Sequence, residues 1–371
     1  MDFGFLTQEL GKGFANFTWG NIIMITAGLV LVGLAVFKEY EPVLLLPIGF
    51  GCIMANLGMS SEVGFMKVIY DAGIKTEIFP LLIFVGVGAM IDFSPLLSQP
   101  SMVLLGAAGQ FGIYGTLLLA LLLGFPMNQA ASIGVIGAID GPTAIFVGSK
   151  LAPEILAPIA VAAYSYMSLI PIIQPPIMKL MTTKKERLIR MEYSPKPVSR
   201  LTKVIFPILV TIIVSLIAPD AAPLIAALML GNLLREAMVV DRLSKSAQNE
   251  IINIATLFLG LAIGSTMTAA SFLNFATLKI LALGLIAFVL DTVAGLLFGK
   301  LMAVVTHNKV NALIGACGIS AFPMAGRLSA KMAQDEDFEN FILMHAMGSN
   351  TAGQLGSVIA GGLLLALVTG L

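Results

Sequence analysis

The sequence predicts an all-α polytopic membrane protein with about nine to eleven membrane segments, some of them broken helices or re-entrant hairpins. Three observations predict it. The chain is 58% hydrophobic and 11% charged, with a mean hydropathy of +0.96, whereas a soluble domain carries roughly 25% charged residues. Its apolar runs reach spanning length without alternating, which excludes a β-barrel. Two runs are interrupted by glycine, proline and oxygen-bearing side chains, and membrane proteins build ion sites at such helix breaks.

A spanning helix needs about 20 apolar residues. Gly20–Phe37 qualifies, while Val43–Leu57 and Ile78–Ile91 are short and read as re-entrant hairpins, tilted helices or half-helices. Met102–Phe125 and Ile155–Met178 are full spans, and Ile133–Val147 between them is the first interrupted run. Val204–Ala218, Ile251–Ala269 and Leu278–Val305 follow. The second interrupted run is Asn311–Pro323, and Phe341–Leu371 closes the chain with a polar interruption at Ser349-Asn350-Thr351.

Between the halves, Lys179–Lys203 holds Lys179, Lys184, Lys185, Arg187, Arg190, Lys196, Arg200 and Lys203 against Glu186 and Glu192. Short loops this rich in Lys and Arg stay in the cytoplasm. The chain therefore divides into an N-terminal membrane half (1–178), a basic linker (179–203) and a C-terminal membrane half (204–371), each half with one broken run. An offset of 181 residues lays Ile133-Gly134 on Ile314-Gly315, Gly137 on Gly318, Pro142 on Pro323, Ala144 on Ala325 and Lys150 on Lys331. Gly, Ala and Ile recur in any apolar chain, but matched Pro and Lys argue for a repeat. With an odd number of spans between the copies, the repeats are inverted and their breaks meet near the midplane.

Composition also sets classes aside. Lys+Arg and Asp+Glu balance at 21 each, leaving no basic excess for a nucleic acid. Cys52 and Cys317 lie in apolar runs without metal-ligand spacing, and His307 and His345 stand apart from them. Asp2 precedes any Lys and no apolar core adjoins it, unlike a cleaved signal.

Asp140, in Gly137-Ala-Ile-Asp-Gly-Pro-Thr143, suits a helix N-cap, with Gly141 and Pro142 opening a half-helix. Inside a membrane a carboxylate costs roughly 2.5–3.5 kcal/mol, so a function is the default reading. Capping and cation binding are compatible, because each oxygen can serve one of them. A hard cation such as Na+ takes oxygens, and hydroxyls, amides and main-chain carbonyls complete its shell. Asn311, Ser320, Ser349, Asn350 and Thr351 supply neutral oxygens, although Ser and Thr commonly bond back to their own helix.

Tyr164 and Tyr166 are two apart and point in different directions; one can anchor at an interface while the other faces the pathway. Arg327, one turn past Pro323, either snorkels or holds an anionic group in its fork. Asp291 reads as a structural partner for a Lys, an Arg or a main-chain group, and Arg235-Glu236 with Asp241-Arg242 as a solvated helix end.

Several of these segments together resemble the β subunit of biotin-dependent sodium-translocating decarboxylases, which act on oxaloacetate, methylmalonyl-CoA or glutaconyl-CoA. They are Gly-Ala-Ile-Asp140-Gly-Pro-Thr-Ala-Ile, the run from Tyr164-Ser-Tyr166 to Met178, Gly231-Asn-Leu-Leu-Arg-Glu, and Asn311, Gly315, Ser320 and Arg327 in register. The resemblance spans nearly the whole chain; Ile139 departs from it, standing where a small residue is expected.

The resemblance implies a core and a scaffold domain in elevator-like motion, a homotrimer, and residence in a bacterial or archaeal cytoplasmic membrane. It implies Na+ export driven by decarboxylation of carboxybiotin, with proton consumption. Biotin-carrier and carboxyltransferase subunits and a small single-span membrane subunit would be the partners. Asp140, Asn311, Ser320 and Asn350 would be Na+ ligands or near neighbours, Tyr166 would assist the ion or proton step, and Arg327 would meet the carboxybiotin. Gly315 would permit close packing, with Gly141, Pro142 and Pro323 shaping the breaks. The lysine of Ile177-Met-Lys-Leu lacks a biotinyl-domain context, so biotin arrives on another chain. The alternative is a Na+-coupled carboxylate secondary transporter of similar architecture.

Overall fold

The structure, a computed structural model, describes residues 17–192 and 197–370. The reading of the N-terminus at Asp2 and the stretch 193–196 of the linker lie outside the described residues. Among the described residues the regular structure is entirely helical. Among the described residues seven helices are long and apolar enough to span a membrane: Trp19–Lys38, Met102–Leu122, Pro153–Met181, Arg200–Ile217, Asp241–Ser265, Phe275–Val305 and Leu343–Thr369. The count rises to eight if the broken pair Gly64–Gly73 and Ile78–Met90 forms one span. Pro42–Ala55 is the shorter apolar helix, and further half-helices flank the two interrupted runs.

The chain forms two compact units, 1–79 with 253–278, and 80–252 with 279–371. Each draws on both sides of the basic linker, so chain order and packing divide the protein differently. In the first unit Trp19–Lys38 packs along Pro42–Ala55. Cys52 donates its thiol to the Met24 carbonyl at 3.3 Å, and the Asn56 amide donates to Cys52 and Met267 carbonyls, each at 2.8 Å. Cys52 is thus a small core residue.

The second unit has a clear interior. Within Pro153–Met181 and Leu343–Thr369, 61% of the most apolar window is buried, against 11% for Arg200–Ile217. The first two are central helices and the third lies at the periphery of the unit. Leu343–Thr369 packs against Met102–Ala108, Gly141–Leu151, the turn Ala312–Cys317 and Met324–Glu336. It is the wall on which both interrupted runs rest.

Helix ends inside the membrane need partners for their free carbonyls. Asn232 supplies them for Ile78–Met90, donating to Gly88 and Ile91 at 3.4 and 2.9 Å, while Arg235 donates to Met90 at 2.6 Å. The expected solvated end at Arg235-Glu236 is therefore a half-buried cap, with Glu236 paired to Lys203 at 3.7 Å. Asp241 and Arg242 are exposed, as expected for a helix end.

The described part of the linker is strapped to Met324–Glu336 and the residues after it. Arg187 holds Glu336 through Nε and Nη2 at 2.8 and 2.7 Å, and Arg190 pairs with Asp337 and Glu339 at 2.6 and 2.9 Å. Asn311 and Asn340 donate to the Arg187 carbonyl at 2.9 and 3.0 Å.

Candidate functional site

The first interrupted run folds as Met127–Gly134, a tight turn over Val135–Ala138, and a half-helix Gly141–Leu151. Ile139 joins them with φ of 52°, a left-handed backbone that a β-branched side chain resists, at a cost of about 1–3 kcal/mol. This is the physical reason a small residue suits the position. Ile139 offsets the strain by packing among Ile170, Phe288, Ile319, Ala321 and Ala325. Asp140 follows in an extended conformation and its carbonyl accepts the first helical bond, from Ala144 N–H, at 2.9 Å. Pro142 sits in the first turn, where a missing N–H costs no helical bond.

The Asp140 side chain is buried, and its Oδ2 accepts three bonds: Thr143 Oγ at 2.8 Å, Gln354 Nε2 at 2.9 Å and Ser357 Oγ at 3.1 Å. Neutral donors stabilise a carboxylate without cancelling its charge. Among the described residues it has no ion-pair partner. The site thus keeps a negative charge available to a cation.

Gly141 is required by a close approach. A methyl there would run into the Tyr164 ring and lie 2.6 Å from its hydroxyl oxygen. Of the two tyrosines, then, Tyr164 lies against the residue next to Asp140. Tyr166 is half-buried and donates its hydroxyl to the Leu281 carbonyl at 2.6 Å.

The second interrupted run starts at Asn311, whose Oδ1 accepts from Leu313 N–H at 3.0 Å while its amide holds the Arg187 and Ile189 carbonyls. A turn over Ala312–Cys317 follows, and the half-helix Met324–Glu336 begins after Pro323. Gly315 lies so close to Gly295 that a Cβ would collide with the Gly295 carbonyl. The main chain from Ala316 to Ile319 is held by carboxamides. Gln174 donates to Ala316 at 2.8 Å, Gln110 to Gly318 at 3.1 Å, and Asn350 to Ile319 at 2.6 Å.

The two runs touch. Ser320 N–H donates to the Ala138 carbonyl at 3.4 Å, and Ser320 Oγ donates to Gly353 O at 3.2 Å. Asp140, Ser320 and Asn350 are thereby gathered on one stretch of Leu343–Thr369, which meets them at residues 350, 353, 354 and 357. Asn350 Oδ1 and Ser349 Oγ are buried there without a hydrogen-bond partner among the described residues. Such oxygens fit a hard cation. Asn311 is engaged at the linker and Tyr166 at Leu281, and among the described residues neither hydrogen-bonds to the Asp140 carboxylate. Arg327 is exposed in the first turn of its half-helix and makes no ion pair among the described residues.

Sequence reasoning did not single out Gln354, Ser357, Gln110 or Gln174. Gln354 and Ser357 fall four and seven residues after Asn350, one helical face, and that spacing was a readable signal. Gln110 and Gln174 had none, because their targets are main-chain carbonyls distant in sequence.

Comparison with known proteins identifies the family. The family described as Na+-transporting oxaloacetate decarboxylase beta subunit matches residues 20–368. The chain is 52% identical to the glutaconyl-CoA decarboxylase β subunit of Acidaminococcus fermentans, covering 97% of this chain and 96% of that protein. It is 53% identical to the methylmalonyl-CoA decarboxylase β subunit of Veillonella parvula, covering 96% of each. Against the oxaloacetate decarboxylase β chain of Klebsiella pneumoniae identity is 44%, over 96% of this chain and 97% of that one. An ordinary carboxylate transporter is thereby set aside. The chain belongs to the β-subunit family of Na+-transporting decarboxylases and is a multi-pass membrane subunit of a decarboxylase sodium pump.

Proposed function

We propose that Asp140 is the central Na+ ligand of this pump, with Ser320 and Asn350 completing the site across the two breaks. The observation that carries the reading is the hydrogen bond from Ser320 N–H to Ala138 O, which sets a neutral break against an acidic one. Asp140 brings the charge, Asn350 Oδ1 a buried amide oxygen, and Ser320 a hydroxyl. Protonation of the carboxylate weakens its hold on Na+, so one residue couples the two flows. Asn311 acts from the edge of this site, fixing the start of the second break. Tyr166 assists the ion or proton step, and Tyr164, against Gly141, is the nearer aromatic to Asp140.

Arg327 receives carboxybiotin delivered by a partner subunit. The bound group supplies a carboxylate on a ureido nitrogen, and its loss as CO2 leaves that nitrogen to take a proton. The exposed guanidinium matches this carboxylate with two parallel donors, whereas an ammonium offers only a point charge. The linker faces the cytoplasm, where the carrier arrives. Biotin-carrier and carboxyltransferase subunits, a small single-span subunit and two further copies of this chain complete the assembly. The runs related by the 181-residue offset are inverted repeats of a core that moves against a scaffold.

Two substitutions test the division of roles. Arg327→Lys weakens productive engagement of carboxybiotin and leaves Na+ affinity intact; Asp140→Asn does the reverse. A shifted Na+ dependence in Arg327→Lys, with carboxybiotin turnover unchanged at saturating Na+, assigns Arg327 to the ion site and overturns the division.

A further inference from the structure

A second carboxylate is buried in the same unit, and the ion site just described does not use it. Asp291 lies in Phe275–Val305 with no exposed surface. Its Oδ1 accepts the N–H of Gly112, and its Oδ2 has no hydrogen-bond partner among the described residues. Gly112 is at the start of Phe111–Leu122, just past the break that separates this helix from Met102–Ala108. Asp291 therefore caps, from another helix, an N–H that the break leaves free. That explains one oxygen and not the other.

Among the described residues no basic residue neutralises it. The lysines of its own helix are Lys279 and Lys300, twelve and nine residues away, or roughly 18 and 14 Å along a helix. Lys279 reaches the Leu123 carbonyl and Lys300 pairs with Glu186. The elements packed on this helix offer Tyr114 from Phe111–Leu122, Tyr166 against Gly284, Cys317 at the turn against Gly295, and Asp140 beyond the first turn. None of these is cationic. A bare carboxylate in such a setting costs several kcal/mol unless a proton or a cation neutralises it.

The surroundings supply oxygens. Thr292 Oγ and Thr116 Oγ are fully buried and, like Asp291 Oδ2, lack a hydrogen-bond partner among the described residues. Thr116 stands one turn beyond Gly112 on the same helix face, whereas Thr292, next to Asp291 in sequence, points to a different side of its own helix. Helical threonines ordinarily bond back to their own helix; these two do not. A cleft of about 570 Å3 runs along the same two helices, lined by Phe111, Tyr114, Leu290 and Val293, which flank the Gly112–Asp291 contact.

We propose that Asp291, with Thr116 one turn from its Gly112 contact, is a second monovalent-cation site of this chain, binding a proton or Na+ independently of Asp140. The main chain of Gly112, which Asp291 holds on one side, lies against Gly137 on the other, three residues before Asp140. Occupancy of the site therefore bears on the first break through a single peptide.

The test uses the purified full chain in lipid nanodiscs and reads binding, not pumping, so its outcome is independent of the role proposed for Asp140. Infrared difference spectra on stepping the pH detect a protonated carboxyl, and equilibrium dialysis with radioactive Na+ counts bound ions. Asp291→Asn keeps an oxygen for Gly112 N–H, so its melting temperature should match the wild type. If the proton occupies the site, a carboxyl band is lost in Asp291→Asn and the Na+ count is unchanged. If Na+ occupies it, the count falls by one ion per chain while Asp140 binding persists. In case the variant does not fold, dicyclohexylcarbodiimide on the wild-type chain labels a protonated Asp291, with protection by raised pH for a proton site or by added Na+ for a Na+ site. An unchanged band and unchanged ion count in a folded Asn variant overturn the proposal, as does absence of protectable labelling in the wild type.

Discussion

At Asp140 three side-chain donors converge on one carboxylate oxygen, whereas around Ala316–Ile319 three carboxamides each commit their donors to a main-chain carbonyl. The two breaks meet, yet they are dressed in opposite ways. In the first the polar groups of the protein surround a charge and leave it unneutralised. In the second they satisfy an irregular backbone that lipid could not, and leave amide oxygens of Gln110, Gln174 and Asn350 without partners. If Asp140 holds Na+ as proposed, the first break is the one that responds to the ion. The other holds the geometry in which that response is possible.

The largest expected effect separates these functions outright. Asp140→Asn keeps the size of the side chain and an acceptor for Thr143, but removes the charge. Charge-assisted interactions are worth about 1.5–3 kcal/mol, so Na+ affinity should fall by roughly one to two orders of magnitude with the melting temperature little changed. Gln174→Leu should do the opposite, leaving the Ala316 carbonyl unpaired and costing about 1–3 kcal/mol of stability, with Na+ affinity retained. Radioactive Na+ binding and thermal melting on both variants decide it. Equal loss of Na+ binding in the two would erase the contrast between the breaks.

A smaller effect sharpens the contrast at Gly141. The added methyl of Gly141→Ala meets the Tyr164 ring and must displace it, at a cost of about 1–3 kcal/mol. Tyr164→Leu removes the obstacle, so the double variant should recover most of the stability lost by the single one. Additive losses in the cycle would show that the glycine is needed for its backbone and not for the tyrosine.

Much of this was legible in the sequence because membrane chemistry makes polar residues conspicuous. Asp140, Asn350 and the Gly141-Pro142 break stand out against apolar neighbours, and the 181-residue offset places Pro142 on Pro323 before any contact is known. The side of a helix is harder to read. Tyr164 and Tyr166 are indistinguishable by composition, and only the packing of Gly141 and Leu281 separates them. The carboxamides were hidden for a different reason: Gln110 and Gln174 bind carbonyls, which every residue has, so no complementary residue type marks their targets. Arg235 misled because a charged helix end in water and a cap at a membrane-helix end have the same composition.

The smallest effect tests the strap that holds the second break at its far end. Asp337 lies outside the membrane segments, and hydrogen bonding to Arg190 holds its carboxyl below the ordinary carboxylate range. A group with a depressed folded value contributes stability that is present above its unfolded pKa, about 3.9, and lost as the pH falls through the folded value. The strap should therefore stay closed from neutral pH down to about pH 4 and loosen only below it. Because the pair is largely solvated, the effect should be modest and should shrink as salt is added. Hydrogen exchange of the segment 184–192, followed against pH, reads it directly. Asp337→Asn should exchange faster at neutral pH and lose this acid-dependent step. A wild-type transition centred near pH 6 would implicate a histidine instead, and the strap would then owe its closure to a group other than Asp337.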